Sequence, residues 1–213
     1  MRTVAGRSVD SVAWILVRAM QAILAVIVAY AAVTRQFGLV INTGIPLAIT
    51  FLPRALERKY DYEMGGGLAL WIASAAFLHA IGSLGPYTMF GWYDQVTHTL
   101  SATLVAGAGY AIVVAIEADH DGVVIPGRLR GVFILLFVLA IGVLWEIAEF
   151  ASSGLATLIG GKAVLAQFGA SDIALDLLFN ASGATIVAIW GTGYFDGLSR
   201  LLARRIDWVE EDR

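Results

Sequence analysis

The sequence predicts an all-α protein, a polytopic transmembrane bundle of about six helices built as one integral membrane domain over residues 1–213, with both termini cytoplasmic. Three observations carry this expectation. Hydrophobic residues make up 59% of the chain and charged residues 15%, whereas roughly a quarter of a soluble domain is charged. The apolar residues gather into runs close to the ~20 that a helix needs to cross a hydrocarbon core. The basic residues between those runs fall almost wholly on one side of the resulting topology.

The first run, residues 12–33, follows Arg2 and Arg7 and ends in an Ala29-Tyr30-Ala31 stretch like a signal-peptidase site. It is too long for a signal-peptide core and reads as an uncleaved span, with Arg18 snorkelling toward headgroups. A second span, residues 37–52, carries Asn42 and Pro46, so a kink is expected at the proline. Residues 53–63 are dense in charge and belong in water. Residues 66–84 form the third span, with alanines and glycines for close packing and His79, read as a packing residue, near the far end.

An interfacial aromatic loop with Tyr87, Phe90 and Trp92 leads into the fourth span, residues 93–116. Residues 117–130 form a polar connector, with Glu117 read as solvated. The fifth span covers residues 131–150, a small-residue loop is expected over 151–171, and the sixth span covers 172–194. The 196–213 segment reads as a cytoplasmic tail with a short surface helix. With six spans, every one of the 14 basic residues except Arg18, Arg35 and Lys162 lies on the side of the termini. That bias makes the termini cytoplasmic, and implies a multi-pass protein of the plasma membrane.

Orientation sets depth. Asp94 and His98 open the fourth span, Glu146 and Glu149 close the fifth, and Asp172, Asp176 and Asn180 open the sixth, so all are expected in the outer half of the bilayer. Spacings of three or four residues put each set on one helix face. Ser101 and Ser153 continue two of these faces. No lysine or arginine neighbours them in sequence. Ionised carboxylates gathered in a weakly solvated place need protons, water or a cation to balance them. A carboxylate-rich set with imidazole suits Mg²⁺, Mn²⁺, Ca²⁺, Zn²⁺ or iron, and helix bundles build metal sites from such pairs. The candidate ligands are therefore Asp94, His98, Glu146, Glu149, Asp176 and Asn180, with Glu149 or Asp172 as candidate general base. Asp94 and Asp172 also stand where a helix begins, so each has a second reading as a capping carboxylate.

The spacing Asp94-x₃-His98, Trp145-Glu146-x₂-Glu149 and Asp172-x₃-Asp176-x₃-Asn180-x₂-Gly183 resembles the pattern of the YjdF-like inner-membrane proteins, over residues 92–183. A weaker likeness joins the first and last of these motifs to VanZ-like membrane proteins. The resemblance implies a six-helix membrane protein with a polar site and supplies no activity. It also implies an acidic residue soon after the Trp-Glu-x-x-Glu stretch, where this chain has Ser152 and Ser153.

The absence of cysteine excludes disulfides and thiolate chemistry. No phosphate-binding loop, dinucleotide fingerprint, nucleophile elbow or zinc-protease motif occurs, and the scattered basic residues exclude nucleic acid as a partner. Three functions fit: a metal-dependent enzyme acting on a lipid or lipid-linked substrate, a proton- or cation-coupled transporter, and a scaffold whose polar cluster is structural.

Overall fold

The computed structural model describes residues 4–62, 64–120, 122–159, 169–191, 195 and 197–203. Among them every regular element is helical: α1 Val4–Val33, α2 Phe37–Ile49, α3 Leu52–Tyr60, α4 Gly66–Gly82, α5 Pro86–Met89, α6 Tyr93–Asp119, α7 Gly127–Ile159 and α8 Ala170–Ile186, continued by a π-helical turn Val187–Gly191. Helices answer the main demand of a bilayer, since each satisfies its own backbone. Four of them, Asp10–Val33, Tyr93–Asp119, Gly127–Leu155 and Ala170–Ile189, are long and apolar enough to cross a membrane. The bent pair α2–α3 would be a fifth, and α4, at 17 residues, is a shorter apolar helix.

The chain forms two compact units, residues Met1–Thr97 with Ile147–Phe168, and residues His98–Glu146 with Gly169–Arg213. In the first, α1, α2 and α4 pack on one another. The inner stripe of α1 is Ala13, Val17, Leu24 and Ala31, all buried, at spacings that keep one helix face turned inward. Arg18 is exposed, as its snorkelling reading requires.

The kink expected at Pro46 lies elsewhere. Pro46 is buried inside α2, and the axis turns by 42° between α2 and α3. Pro53 stands in the first turn of α3, where its missing N–H costs nothing because that donor has no helical partner anyway. Thr50 at the turn bonds its hydroxyl to the Leu47 carbonyl at 2.6 Å, and Gln21 of α1 donates to the Thr50 carbonyl at 3.1 Å. The charged stretch after residue 52 is thus partly helical, ending at Asp61 in the left-handed region with φ 52°.

Helix α4 begins on two glycines that bring no capping side chain. Asp10 of α1 supplies the cap, accepting the Gly66 N–H at 2.5 Å. It is a carboxylate at a helix N-terminus, where exposed N–H groups and the dipole both favour it. The approach depends on glycine: a Cβ at position 66 would lie 2.8 Å from the Asp10 carbonyl oxygen and 3.2 Å from the Ala13 Cβ.

In the second unit, small residues line the inside of α6, with Ala102, Ala106, Ala111 and Ala115 buried. Gly109 admits the Phe137 ring of α7, and Gly107 admits Phe195. Glu117, read from sequence as solvated, is instead tied down. It accepts the Arg130 guanidinium and the Ile125 N–H, each at 2.7 Å, and so folds the 117–130 connector back on itself.

A further expectation changes. The fifth span does not stop at Phe150: α7 runs unbroken to Ile159. Residues 151–159 mix small residues with Leu155, Leu158 and Ile159 and hold no proline and a single glycine, so the helix continues. At 33 residues α7 is about 50 Å long, against a hydrocarbon core of about 30 Å. The tail is helical over 197–203, with Ser199 and Leu201 buried and Arg200 exposed. Residues 160–168 of the expected loop, the end of the sixth span at 192–194 and the tail beyond 203 lie outside the described residues.

Replacing Gly66 by alanine is expected to lower thermal stability in detergent by on the order of 1–3 kcal/mol, because backbone must move to admit the methyl. Gly44→Ala, in α2 with nothing within 4 Å of its added Cβ, is expected to be neutral or slightly stabilising. Equal melting temperatures for the two variants would refute the close-approach account.

Candidate functional site

Helix α8 presents one polar face. Asp176, Asn180 and Gly183 follow at helical spacing and are all buried, with Asp176 only 1% exposed. Two glycines bring neighbouring helices onto that face. A Cβ on Gly183 would lie 2.6 Å from the Thr99 carbonyl oxygen and 2.8 Å from the Ala102 Cβ of α6. A Cβ on Gly142 of α7 would lie 2.7 Å from the Asn180 amide nitrogen. At such separations backbone meets side chain with no space between.

Along α6, His98 stands one turn before Ala102; along α8, Asp176 lies two turns before Gly183. The two side chains accordingly meet, with His98 Nε2 and Asp176 Oδ1 3.8 Å apart. One turn beyond Gly142 on α7 comes Glu146, buried at 5% exposure. The whole buried stripe of α7 reads Ile134, Val138, Gly142, Glu146 and Glu149. Leu144, Trp145, Ile147 and Phe150 point outward, which suits lipid. Both glutamates therefore sit on the packed face of this helix, as intramembrane carboxylates normally do.

In the first unit, the opening turn of α6 is held by hydroxyl groups. Thr97 is buried and donates to the Asp94 carbonyl at 2.8 Å, with the Asp94 carboxylate oxygen at 3.5 Å. Tyr87 of α5 reaches Thr97 Oγ1 at 3.4 Å and bonds His79 Nδ1 of α4 at 2.9 Å. Tyr93 donates to the Leu78 carbonyl at 2.9 Å. Two phenols thus reach back from α5 and α6 to the last turns of α4. Burial pushes the Tyr87 hydroxyl well above its ordinary value of 10.0; the Thr97 hydrogen bond opposes this, and the nearby Asp94, Tyr93 and Glu149 add to it.

Helix α6 is continuous through Asp94 and His98, so these two share a face on successive turns. One donor atom each from Asp94, His98 and Asp176 lies within 4.8 Å of the others. Metal–ligand bonds of about 2.0–2.2 Å put two donors on one ion about 3–4.4 Å apart, so the 3.8 Å His98–Asp176 separation fits and the outer bound needs only a few tenths of an ångström of closure. Two carboxylates and an imidazole form a donor set for a divalent ion.

Of the residues expected from sequence, Asp94, His98 and Asp176 come together in this group. Asn180 lies beside them along α8, packed on Gly142. Glu146 and Glu149 are buried on the inner face of α7 but do not belong to the three-donor group. Asp172 is half-buried in the first turn of α8, whose N-cap Gly169 has no side chain to offer. That position agrees with the dipole-complementing reading. Ser101 is exposed, so it does not continue the face of Asp94 and His98. Thr97 and Gly142 were not singled out by sequence reasoning, and Tyr87 was read only as an interfacial aromatic. An i, i+3 hydroxyl after Asp94 and a glycine one turn before Glu146 were the available signals.

A family described as "Predicted membrane protein (DUF2238)" matches residues 15–197. The chain belongs to that family. The match contains every residue of the donor group and both glycines that admit its helices. An uncharacterized protein of Thermotoga maritima is 29% identical over 140 residues, covering 65% of this chain and 68% of its own. No solved structure matches. DUF2238 membership makes this a membrane protein, the several long apolar helices make it multi-pass, and neither supplies a chemistry.

The raised value of Tyr87 has a consequence for stability. The unfolded phenol ionises near 10.0, before the folded one does, so unfolding releases a proton as pH rises past that value. The contribution of Tyr87 is complete below about pH 10 and is lost above it. Melting temperature is expected to fall more steeply above pH 10 in the wild type than in Tyr87→Phe. Parallel pH profiles for the two proteins would contradict this.

Proposed function

We propose that this protein is a divalent-metal-binding membrane protein of the plasma membrane, with Asp94, His98 and Asp176 as ligands. The reading rests above all on one observation: a carboxylate, an imidazole nitrogen and a second carboxylate lie within 4.8 Å of one another, Asp94 and His98 half-buried and Asp176 fully buried. The mixed set favours Mn²⁺, Zn²⁺ or Fe²⁺ over Ca²⁺, which takes six to eight oxygens. Asn180 and Glu146 flank the ligands along α8 and α7. The DUF2238 assignment and the YjdF-like spacing agree with the reading without supplying an activity.

Within this proposal the protein is an enzyme acting at the outer leaflet, on an ester or phosphoryl group of a lipid or lipid-linked substrate. A bound divalent ion supplies Lewis acidity and an acidified water. Glu149 or Asp172 would act as the general base. The outward placement follows from the basic residues on the side of the termini. Apolar side chains such as Trp145, Ile147 and Phe150 leave α7 exposed toward lipid, where such substrates reside.

Purified wild-type protein in detergent is expected to retain close to one equivalent of a divalent transition metal by elemental analysis. Asp176→Asn and His98→Ala are each expected to weaken rebinding at least a hundredfold. Absence of any stoichiometric ion from the wild type, with Asp176→Asn changing only thermal stability, would leave the His98–Asp176 pair as a structural tie between helices.

A further inference from the structure

The donor group borrows its first ligand from the opening turn of α6, and that turn is not secured by α6 alone. Three contacts bind it to α4. The Tyr87 hydroxyl lies 2.9 Å from His79 Nδ1 and 3.4 Å from Thr97 Oγ1, while Tyr93 donates to the Leu78 carbonyl at 2.9 Å. The Tyr87 ring has a built place. It packs edge-on to Tyr93 with centroids 5.5 Å apart and to His79 at 5.9 Å. Its other side lies against Gly82, where a Cβ would be 2.5 Å from the ring. Ring and hydroxyl are thus both held by neighbours. Thr97 then carries the connection to Asp94, at 2.8 Å to its carbonyl and 3.5 Å to its carboxylate.

We infer that Tyr87 is the positioning residue for Asp94: through Thr97 it fixes the first turn of α6 against the end of α4, and so sets where that carboxylate points. Its consequence for metal affinity rests on the reading of Asp94, His98 and Asp176 as ligands. Oriented partners behind a ligand commonly change metal affinity 10- to 100-fold when removed. The burial that keeps the phenol protonated keeps its hydrogen available to Thr97. His79, taken from sequence for a packing residue, becomes the far anchor of this arm.

The test uses the full chain in detergent with Tyr87→Phe, Thr97→Val and Thr97→Ser. One readout is carbodiimide-driven amine labelling of Asp94 without metal, followed by mass spectrometry with Glu117 as internal control. The other is affinity for Mn²⁺ alone. Tyr87→Phe and Thr97→Val are expected to raise Asp94 labelling several-fold with Glu117 unchanged, and to weaken Mn²⁺ binding about tenfold. Thr97→Ser, which keeps the hydroxyl, is expected to match the wild type. Unchanged Asp94 labelling in both Tyr87→Phe and Thr97→Val would overturn the inference whether or not Mn²⁺ binds. Raised labelling in a wild-type background that binds no Mn²⁺ would uphold the positioning role and remove the metal reading.

Discussion

The contact on which the rest of the polar site depends is the one that Gly183 permits between α6 and α8. Water is absent from a bilayer core, so a buried carboxylate there must be surrounded by protein on all sides. Ordinary side chains hold helix axes 8–10 Å apart. At Gly183 the backbone of α6 stands where a Cβ would be, 2.6 Å away at Thr99. Asp176 is buried at 1% exposure because that crossing is tight. A larger residue at 183 would push the helices apart and open its carboxylate to lipid.

Helix α7 meets the same constraint differently. It is long, and most of its surface is exposed and apolar. Its inner stripe has only to accommodate α8 at Gly142, where the Asn180 amide fills the volume a side chain would have taken. The glutamates one and two turns later ride on the face that this contact turns inward. The expense of placing Glu146 and Glu149 in an apolar helix falls on a single stripe, while the lipid-facing surface stays uncharged.

Much of this was legible in the sequence, and the reasons are physical. Long apolar runs force helices, and charged residues every third or fourth position within them force a shared face. Asp94 and His98 were therefore readable as one helix face, and Asp172, Asp176 and Asn180 as another, before any coordinates. Boundaries were harder. The small residues after Phe150 carry no breaker, so composition suggested a loop where helical hydrogen bonding simply continued to Ile159. The bend was expected at Pro46 because that proline lies inside the apolar run, whereas Pro53 was read as the start of a charged connector; the axis turns between α2 and α3 instead. Tyr87 was legible only as an interfacial aromatic. Its partner His79 lies 8 residues before it, across a turn at Gly85 whose φ of 147° no periodicity can foresee, and Thr97 lies 10 residues after it in the next helix.

The geometry of His98 and Asp176 bears on what the site is for. A histidine and an aspartate placed solely to tie two helices together would close to the about 2.7–2.9 Å of a charge-assisted hydrogen bond. Here the closest pair of atoms stands 3.8 Å apart, although the helices carrying them touch backbone to backbone a turn further on. Close approach is thus available and is not used at this pair. On the proposed reading of these residues as ligands, the 3.8 Å between His98 Nε2 and Asp176 Oδ1 would admit a small ion bonded to each.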